Sequence, residues 1–352
     1  MLLDDVRWKK FKIIEILGKS NNSKAYHSEN LKFSVQNEKG IPYVTRTNLN
    51  NGLFSIVKYD DYKINPSNTI TLGAENAKYF YQPYPYITGN KMYYYNLKKI
   101  NKYSGLFITK CLNDSIKNCG FGYGMGLTGK RSDTRSFMLP VDDNGEPNFE
   151  FMEKYIKNIL LKEINDVKEY CNNAIINIKF KKIKNLNEKK WNKFKINDLF
   201  NVTIGKTIDG NKVNKENGDV PYVTRKESNN AVDGFINYDS DYKNVVYPVI
   251  TIGNETAKPF VQTYPFFTGT KVNIMKPKFK ANKYILLFIS QALEQHKNKY
   301  SYSYTINSTR LKEQIILLPI NEDGNLDYEY MEQYIKNIMY NQYKRYLDFL
   351  GS

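Results

Sequence analysis

The chain has 352 residues, 41% hydrophobic and 25% charged, a balance that excludes disorder and collagen-like order and allows two globular folding units. Lysine plus arginine outnumber aspartate plus glutamate by 52 to 36, a surplus of +16. This favours a polyanionic partner such as nucleic acid, although a vocabulary rich in Lys, Asn, Ile and Tyr raises the lysine count by itself.

The N-terminal MLLDDVRWKK has no apolar signal region, and no apolar run approaches the roughly 18 residues that span a bilayer. The expectation is a cytoplasmic chain without a membrane partner. Cys111, Cys119 and Cys171 form no CxxC pair, so neither a disulfide framework nor a zinc ribbon is indicated. From Trp8 onward, short β-branched and aromatic runs such as IPYVT, NTITLG and KMYYYNL are broken by Asn-Gly, Pro and Gly, which predicts strands and turns with some helix among them.

GMGLTGKR, from Gly124 to Arg131, matches the G-x4-G-K core of a phosphate-binding loop. Arg131 stands where a Ser or Thr would hold magnesium, and the preceding NCGFGY does not read as a buried strand. The segment is better read as a glycine-loosened loop carrying Lys130, Arg131 and Arg135 outward beside Tyr123, either to contact DNA or simply as solvated charge. From Asn148 an apolar stripe through Phe151, Met152, Tyr155, Ile156, Ile159 and Leu160 continues to Ile178, predicting a helix of about 30 residues with one sticky face. Lys179 to Lys195 then contains eight lysines and one acid, Glu188. This run is expected as a solvated linker or as a segment lying along a DNA backbone.

After the lysine run the sequence begins again. WKKFKIIEIL at Trp8 returns as WNKFKINDLF at Trp191, IPYVTR ending at Arg46 as VPYVTR ending at Arg225, and TITLGAENAK at Thr69 as VITIGNETAK at Val249. FYQPYPYITGNK at Phe80 returns as FVQTYPFFTGTK at Phe260, and the 21 residues from Leu139 match those from Leu318 at 11 positions. One ancestral unit was copied in tandem, so the two copies should share a fold. The second copy ends in a shorter stripe through Tyr328, Met331, Tyr334, Ile335 and Ile338. Stripes of this kind usually pack against another helix, and the two are expected to pair antiparallel with Tyr155, Ile159, Tyr334 and Ile338 in the seam. The alternative is that each folds back onto its own unit. A helix of about 30 residues spans roughly 45 Å, a little more than one turn of B-DNA.

Residues of catalysis are missing. His27 and His296 occupy unrelated places in the two copies, and no HExxH, GxSxG or clustered Cys/His set occurs, so no metal, cofactor or catalytic site is expected. The candidates are cations instead. Arg46 and Arg225 end a strand-like PYVT run, where arginine suits bidentate contact with phosphate or guanine or an ion pair within its own fold. Arg131 falls opposite Arg310. Lys78 with Lys258 and Lys91 with Lys271 match between copies and are candidates for phosphate contact. Base-specific readers are expected where the copies differ, in Asn48 to Ser55 against Lys226 to Asp233 and in 121–135 against 300–314.

The order Trp-x-x-Phe-Lys-Ile, Ile-Pro-Tyr-Val-Thr with Asn51-Gly52, then Leu-Pro-Val…Asp-Gly…Phe-Met-Glu-Lys-Tyr-Ile, all of it twice, resembles the specificity (S) subunit of type I restriction-modification systems. It is especially similar to the compact S subunits that accompany fused restriction-methylation proteins of the type IIB, BcgI-like kind. The resemblance covers Trp8 to about Leu350. It implies an α+β chain with two tandem-duplicated α/β target-recognition domains, 1–147 and 186–326. Long helices at 148–185 and 327–352 would separate them and form an antiparallel coiled-coil spacer. It further implies that the chain reads a bipartite site on double-stranded DNA without being an enzyme, and positions methyltransferase (M) or fused restriction-methylation subunits. A tandem carbohydrate-binding module is the alternative, since tyrosine is 30 of 352 residues and its ring stacks on sugars.

Overall fold

The computed structural model describes residues 3–35, 38–122, 124–237, 243–244, 246–301 and 303–351. The chain divides into two compact units, Met1–Asp166 and Val167–Ser352. Unit 1 runs β1 (Trp8–Lys12), α1 (Ile13–Leu17), β2 (Asn21–Asn22), β3 (Ile41–Val44), β4 (Leu53–Val57), β5 (Thr69–Gly73) and β6 (Lys78–Gln82). It continues with β7 (Ile87–Thr88), β8 (Met92–Asn96), α2 (Lys102–Ile116), α3 (Gly129–Asp133), β9 (Ser136–Pro140) and α4 (Phe149–Ile178), which crosses into the second unit. Unit 2 repeats the order as β10 (Lys190–Lys195), α5 (Ile196–Leu199), β11 (Phe200–Ile204), β12 (Val220–Val223), β13 (Val232–Ile236), β14 (Val249–Gly253) and β15 (Pro259–Gln262). Then follow β16 (Phe267–Thr268), β17 (Val272–Pro277), α6 (Lys283–Glu294), α7 (Ser308–Glu313), β18 (Ile315–Ile320) and α8 (Tyr328–Gly351).

The same three sheets are built twice. Unit 1 has a four-stranded sheet in the order β2-β8-β5-β6, a three-stranded sheet β4-β3-β7 and a β1-β9 ladder; unit 2 has β11-β17-β14-β15, β13-β12-β16 and β10-β18. Among the described strands, β3 with β7 and β12 with β16 pair in parallel, and the other ladders are antiparallel. Every residue of the central strands β5 and β14 is buried, because each is flanked by strands on both sides and covered by a helix. Phe107, Ile108 and Leu112 of α2 pack with Ile70, Leu72 and Tyr95; Leu286, Ile289 and Leu293 of α6 pack with Ile250, Ile252 and Met275. Each fully buried side chain of this size contributes about 1.5–3 kcal/mol.

One asparagine per unit both starts a helix and ties down the next. The Asn101 side chain accepts from the amides of Tyr103 and Ser104 and donates to Glu153 Oε2 on α4 at 2.6 Å. Asn282 caps α6 in the same way and donates to Glu332 Oε2 on α8 at 2.7 Å. The opening turns of the long helices thus lie on their own units. Tyr155 sets its ring edge-on to Phe107 with centroids 5.6 Å apart, and Tyr334 does the same to Phe288 at 5.6 Å. The two tyrosines were expected in a seam between long helices; they fold back because α2 and α6 each present an aromatic ring one turn away. Ile159 and Ile338, a turn further on, are 42% and 43% exposed.

Within unit 2 the last turns of α4 touch α8, with the Tyr170 and Tyr343 rings edge-to-face at 5.9 Å. At Lys179 the backbone enters the left-handed region, φ +53°, and α4 stops. The start of the lysine-rich run is then strapped to α8. Gln333 Nε2 donates to the Lys179 carbonyl at 3.0 Å, and Asn337 Nδ2 to that of Lys181 at 2.6 Å. The Tyr330 hydroxyl donates to the Lys184 carbonyl at 3.0 Å, and Phe180 packs on Tyr340. The backbone of residues 179–184 is therefore tied to α8 rather than loose, while Lys179, Lys181, Lys182 and Lys184 remain exposed.

Candidate nucleic-acid interface

The four-residue turn between β5 and β6 is the meeting point of the segments that carry most of the cations singled out above. In unit 1, the chain leaving β3 passes this turn, where Asn76 Nδ2 donates to the Arg46 carbonyl. The Ala74 amide donates to the Lys91 carbonyl at 3.1 Å, and the Leu127 amide to the Ala74 carbonyl at 2.7 Å. In unit 2 the Asn254 amide donates to the Lys271 carbonyl at 3.1 Å, and the Ile306 amide to the Asn254 carbonyl at 2.8 Å. Glycine ends β5 and β14 here because the arginine lies against it. A Cβ on Gly73 would stand 3.2 Å from Arg46 Cγ, and one on Gly253 would stand 2.9 Å from the Cα of Arg225.

Arg46 is ion-paired with Glu75 of this turn, and Lys91 Nζ sits 2.5 Å from the same carboxylate. Arg225 is paired with Glu255, with Lys271 Nζ at 3.6 Å. The in-fold ion pair that stood as one reading of the two arginines is therefore present in both units. The cations were picked out of the sequence, but the carboxylates were not. The signal was available, since Glu75 and Glu255 align within AENAK and NETAK.

Beyond the turn, Leu127 and Ile306 are buried anchors, 0% and 4% exposed, that lead into the short helices α3 and α7. Thr128 and Asn307 cap them, each accepting from the arginine amide three residues on. Arg131 and Arg310 then hook back to a carbonyl five residues earlier, that of Gly126 at 2.9 Å and of Thr305 at 2.7 Å. Arg310 also stacks on Tyr304 at 4.1 Å. Lys130 and Arg131 are exposed, Arg310 half-buried. Arg135 does not point outward as expected. Its guanidinium turns in over Phe121 and donates to the Ser115 carbonyl at 3.1 Å, because the last turn of α2 leaves carbonyls without helical partners. Lys258 is paired with Glu294 on α6, whereas Lys78 has no ion pair among the described residues; the position matching Glu294 is Asn113, whose side chain bonds the backbone of Tyr79 instead. Tyr123 lies outside the described residues.

Other chemistry finds little footing. GMGLTGKR forms a loop and the start of α3, preceded by a single bridge between Gly122 and Met125 rather than a strand. His27 is exposed and His296 half-buried, its pKa pushed down by burial and by Lys299. Among the described residues no group of three His, Cys, Asp or Glu could hold a metal, and no helix is long and apolar enough to cross a membrane.

Comparison with known proteins also finds one unit repeated in the two halves of the chain. The sequence profile of the type I restriction modification DNA specificity domain matches residues 5–169 and again 188–346. The specificity subunit S.BcgI of a type II restriction enzyme from Heyndrickxia coagulans is 50% identical over 159 residues, 45% of this chain and 46% of that protein. The match thus spans about half the length of this relative. The crystal structure of the S subunit of a type I restriction-modification system from M. genitalium superposes with a TM-score of 0.53 at 14% identity, over 100% of this chain and 95% of that one. At that identity the likeness is one of fold.

Proposed function

Since the chain belongs to the family of type I restriction modification DNA specificity domains, we propose that it is the sequence-reading component of a restriction-modification complex, with no turnover of its own. Each unit takes one half of a bipartite site on duplex DNA in the cytoplasm. The observation that carries this reading is the repetition of one cation-lined turn, with its capped arginine helix, in both units of a chain with a surplus of +16. Lys130, Arg131, Arg310 and Lys78 are the proposed DNA contacts outside the turn, while Lys258 is held by Glu294; Arg135 serves as a buttress of the loop. Residues 1–147 and 186–326 are the recognition domains. The long helices within 148–185 and 327–352, α4 and α8, pair as an antiparallel spacer through the turns beyond Tyr155 and Tyr334, with Ile159 and Ile338 in the seam. A methyltransferase or a fused restriction-methylation protein is the proposed partner, as implied by the family and by the relative that is the specificity subunit of a restriction enzyme.

The carbohydrate alternative finds no support in the family match, which is to a DNA specificity domain over both halves of the chain.

A gel shift tests the reading, with binding to duplex DNA expected to weaken steeply as salt rises. Arg131→Ala should weaken the footprint on one half-site and Arg310→Ala that on the other; footprints unchanged at both would remove α3 and α7 from the interface. Four residues added to α4, about 6 Å, should widen the preferred gap by one or two base pairs. An unaltered gap would show that the helix does not set it.

A further inference from the structure

The ion pairs of the β5–β6 turn are arranged oddly for a purely structural role. In each unit two cations share one carboxylate, so one positive charge is left over, and solvent-facing pairs of this kind contribute little to folding. The acid is the sheltered member. The Glu75 and Glu255 side chains are 18% and 19% exposed, whereas those of Lys91 and Lys271 are 55% and 57% exposed. Arg46 and Arg225 are intermediate, at 34% and 37%. Guanidinium carries five N–H donors and ammonium three, so one carboxylate leaves several donors facing water.

The backbone supplies a second, independent observation. Lys91 and Lys271 both sit in the left-handed region, φ +56° and +57°, a conformation that glycine adopts freely and that strains other side chains. A lysine is nonetheless held there in both copies, and strain of this kind is common where a side chain is used.

We propose that each unit carries a phosphate clamp, Arg46–Glu75–Lys91 in unit 1 and Arg225–Glu255–Lys271 in unit 2, and that each clamp grips one phosphodiester of the DNA backbone. The clamp rests on the DNA-binding reading above and deepens it. Glu75 and Glu255 are positioning residues that touch no DNA. They fix two long, flexible side chains in the folded state, so that less conformational freedom is lost on binding. Because both units carry the same three residues in the same places, the contact cannot distinguish two different half-sites; it sets register on the backbone and leaves base reading to the segments in which the copies differ.

The test uses the full chain and a mixed-sequence duplex, with affinity measured by fluorescence anisotropy across a salt series. Lys91→Gly and Lys271→Gly relieve the left-handed strain, so folding is not at risk. Each should lower the slope of log affinity against log salt by about 0.9, and the pair together by about twice that. Lys91→Arg should keep the slope. Glu75→Gln with Glu255→Gln should weaken binding even though it adds positive charge, the signature of positioning; tighter binding would overturn that role. A wild type that binds, with an unchanged slope in the double glycine variant, overturns the clamp alone. A wild type that ignores duplex DNA at low salt overturns the DNA-binding reading and the clamp with it.

Discussion

The helix that carries Arg131 and the helix that carries Arg310 are seated on their units by opposite means. Under α3, the Ser132 hydroxyl meets those of Tyr79 at 2.7 Å and Tyr95 at 2.5 Å. Asp133 accepts from Tyr95 at 2.8 Å and from the amide and hydroxyl of Ser20 at 3.0 and 3.1 Å. Strand register and sequence alignment place Val202, Pro259, Met275 and Leu311 at the positions of Ser20, Tyr79, Tyr95 and Ser132. Val202, Met275 and Leu311 belong to one apolar cluster. The backbone plan tolerates either filling because each is complete within itself. A buried hydroxyl needs partners, and here several exchanged together. A single exchange in either direction would leave a buried polar group unpaired or a hole.

The comparison can be broken most strongly with alkali. Burial pushes Tyr79 up to about 12, chiefly by desolvation, and desolvation also raises Tyr86 and Tyr95. The matching residues in unit 2, Pro259, Phe266 and Met275, do not titrate. A tyrosine whose folded pKa lies above its unfolded value of about 10 binds its proton more tightly when folded. Its contribution is complete below pH 10 and lost as pH rises from there through the folded pKa, at about 1.4 kcal/mol per pH unit per group. With three such groups, each half-ionised in the unfolded chain at pH 10, unit 1 should lose about 3 kcal/mol between pH 10 and 11. Unit 2 should lose less, through Tyr330 and Tyr343 on α8. Trp8 and Trp191 report on one unit each, so denaturant unfolding of Trp8→Phe and Trp191→Phe variants at pH 9 and 11 separates the two. Equal losses would show that the buried tyrosines do not govern alkaline stability.

Next in size is a matched pair of truncations. Leu311 is 0% exposed, and Leu311→Ala should cost about 3 kcal/mol through the hole it leaves. Ser132→Ala should cost about 1–2 kcal/mol, because Tyr95 keeps Asp133 while Tyr79 loses its partner. Denaturant unfolding in the same single-tryptophan backgrounds measures both; a Ser132→Ala cost equal to that of Leu311→Ala would mean that the network acts as one cooperative body.

A smaller contrast lies at the glycines under the arginines. An alanine Cβ at 253 would meet backbone, Arg225 Cα at 2.9 Å, whereas at 73 it meets side-chain atoms, Asn76 Oδ1 and Arg46 Cγ. Gly253→Ala should therefore cost about 2–3 kcal/mol and Gly73→Ala about 1 kcal/mol, since Asn76 can swing aside only by giving up its bonds to the Arg46 carbonyl and Asn48. A larger cost at 73, measured by thermal or denaturant unfolding, would contradict the difference in neighbours.

Repetition made the architecture legible, because five separated motifs returning at nearly constant spacing can only mean two like units. Amphipathic spacing located both long helices. The fate of their stripes was less visible, since an apolar stripe does not name its partner: Tyr155 and Tyr334 found rings in α2 and α6. The strap at 179–184 was hidden for a similar reason. Its lysines advertise solubility, while its attachment runs through backbone carbonyls that composition does not reveal. At the candidate interface the cations announced themselves by matching between copies. Arg135 went astray because its partner is a helix-terminal carbonyl 20 residues back in the chain, a relation that appears only once α2 is built.

Lys78 and Lys258 give the finest distinction between the units. They open β6 and β15 at matching positions, yet only Lys258 has an acid beside it, Glu294 on α6. Removing each lysine should therefore affect different observables. Lys258→Ala deletes a half-sheltered ion pair and should cost unit 2 about 0.5 kcal/mol, while Lys258 bound to Glu294 has little charge to offer DNA. Lys78→Ala should leave stability within about 0.5 kcal/mol of the parent but lower the salt slope of DNA binding by about 0.9 if the ammonium meets a phosphate. Glu294→Gln sharpens the test by freeing Lys258, which should then add to the salt slope what Lys78 contributes in unit 1. If Lys78→Ala and Lys258→Ala change the slope equally, the ion pair does not set how the two lysines divide between fold and ligand.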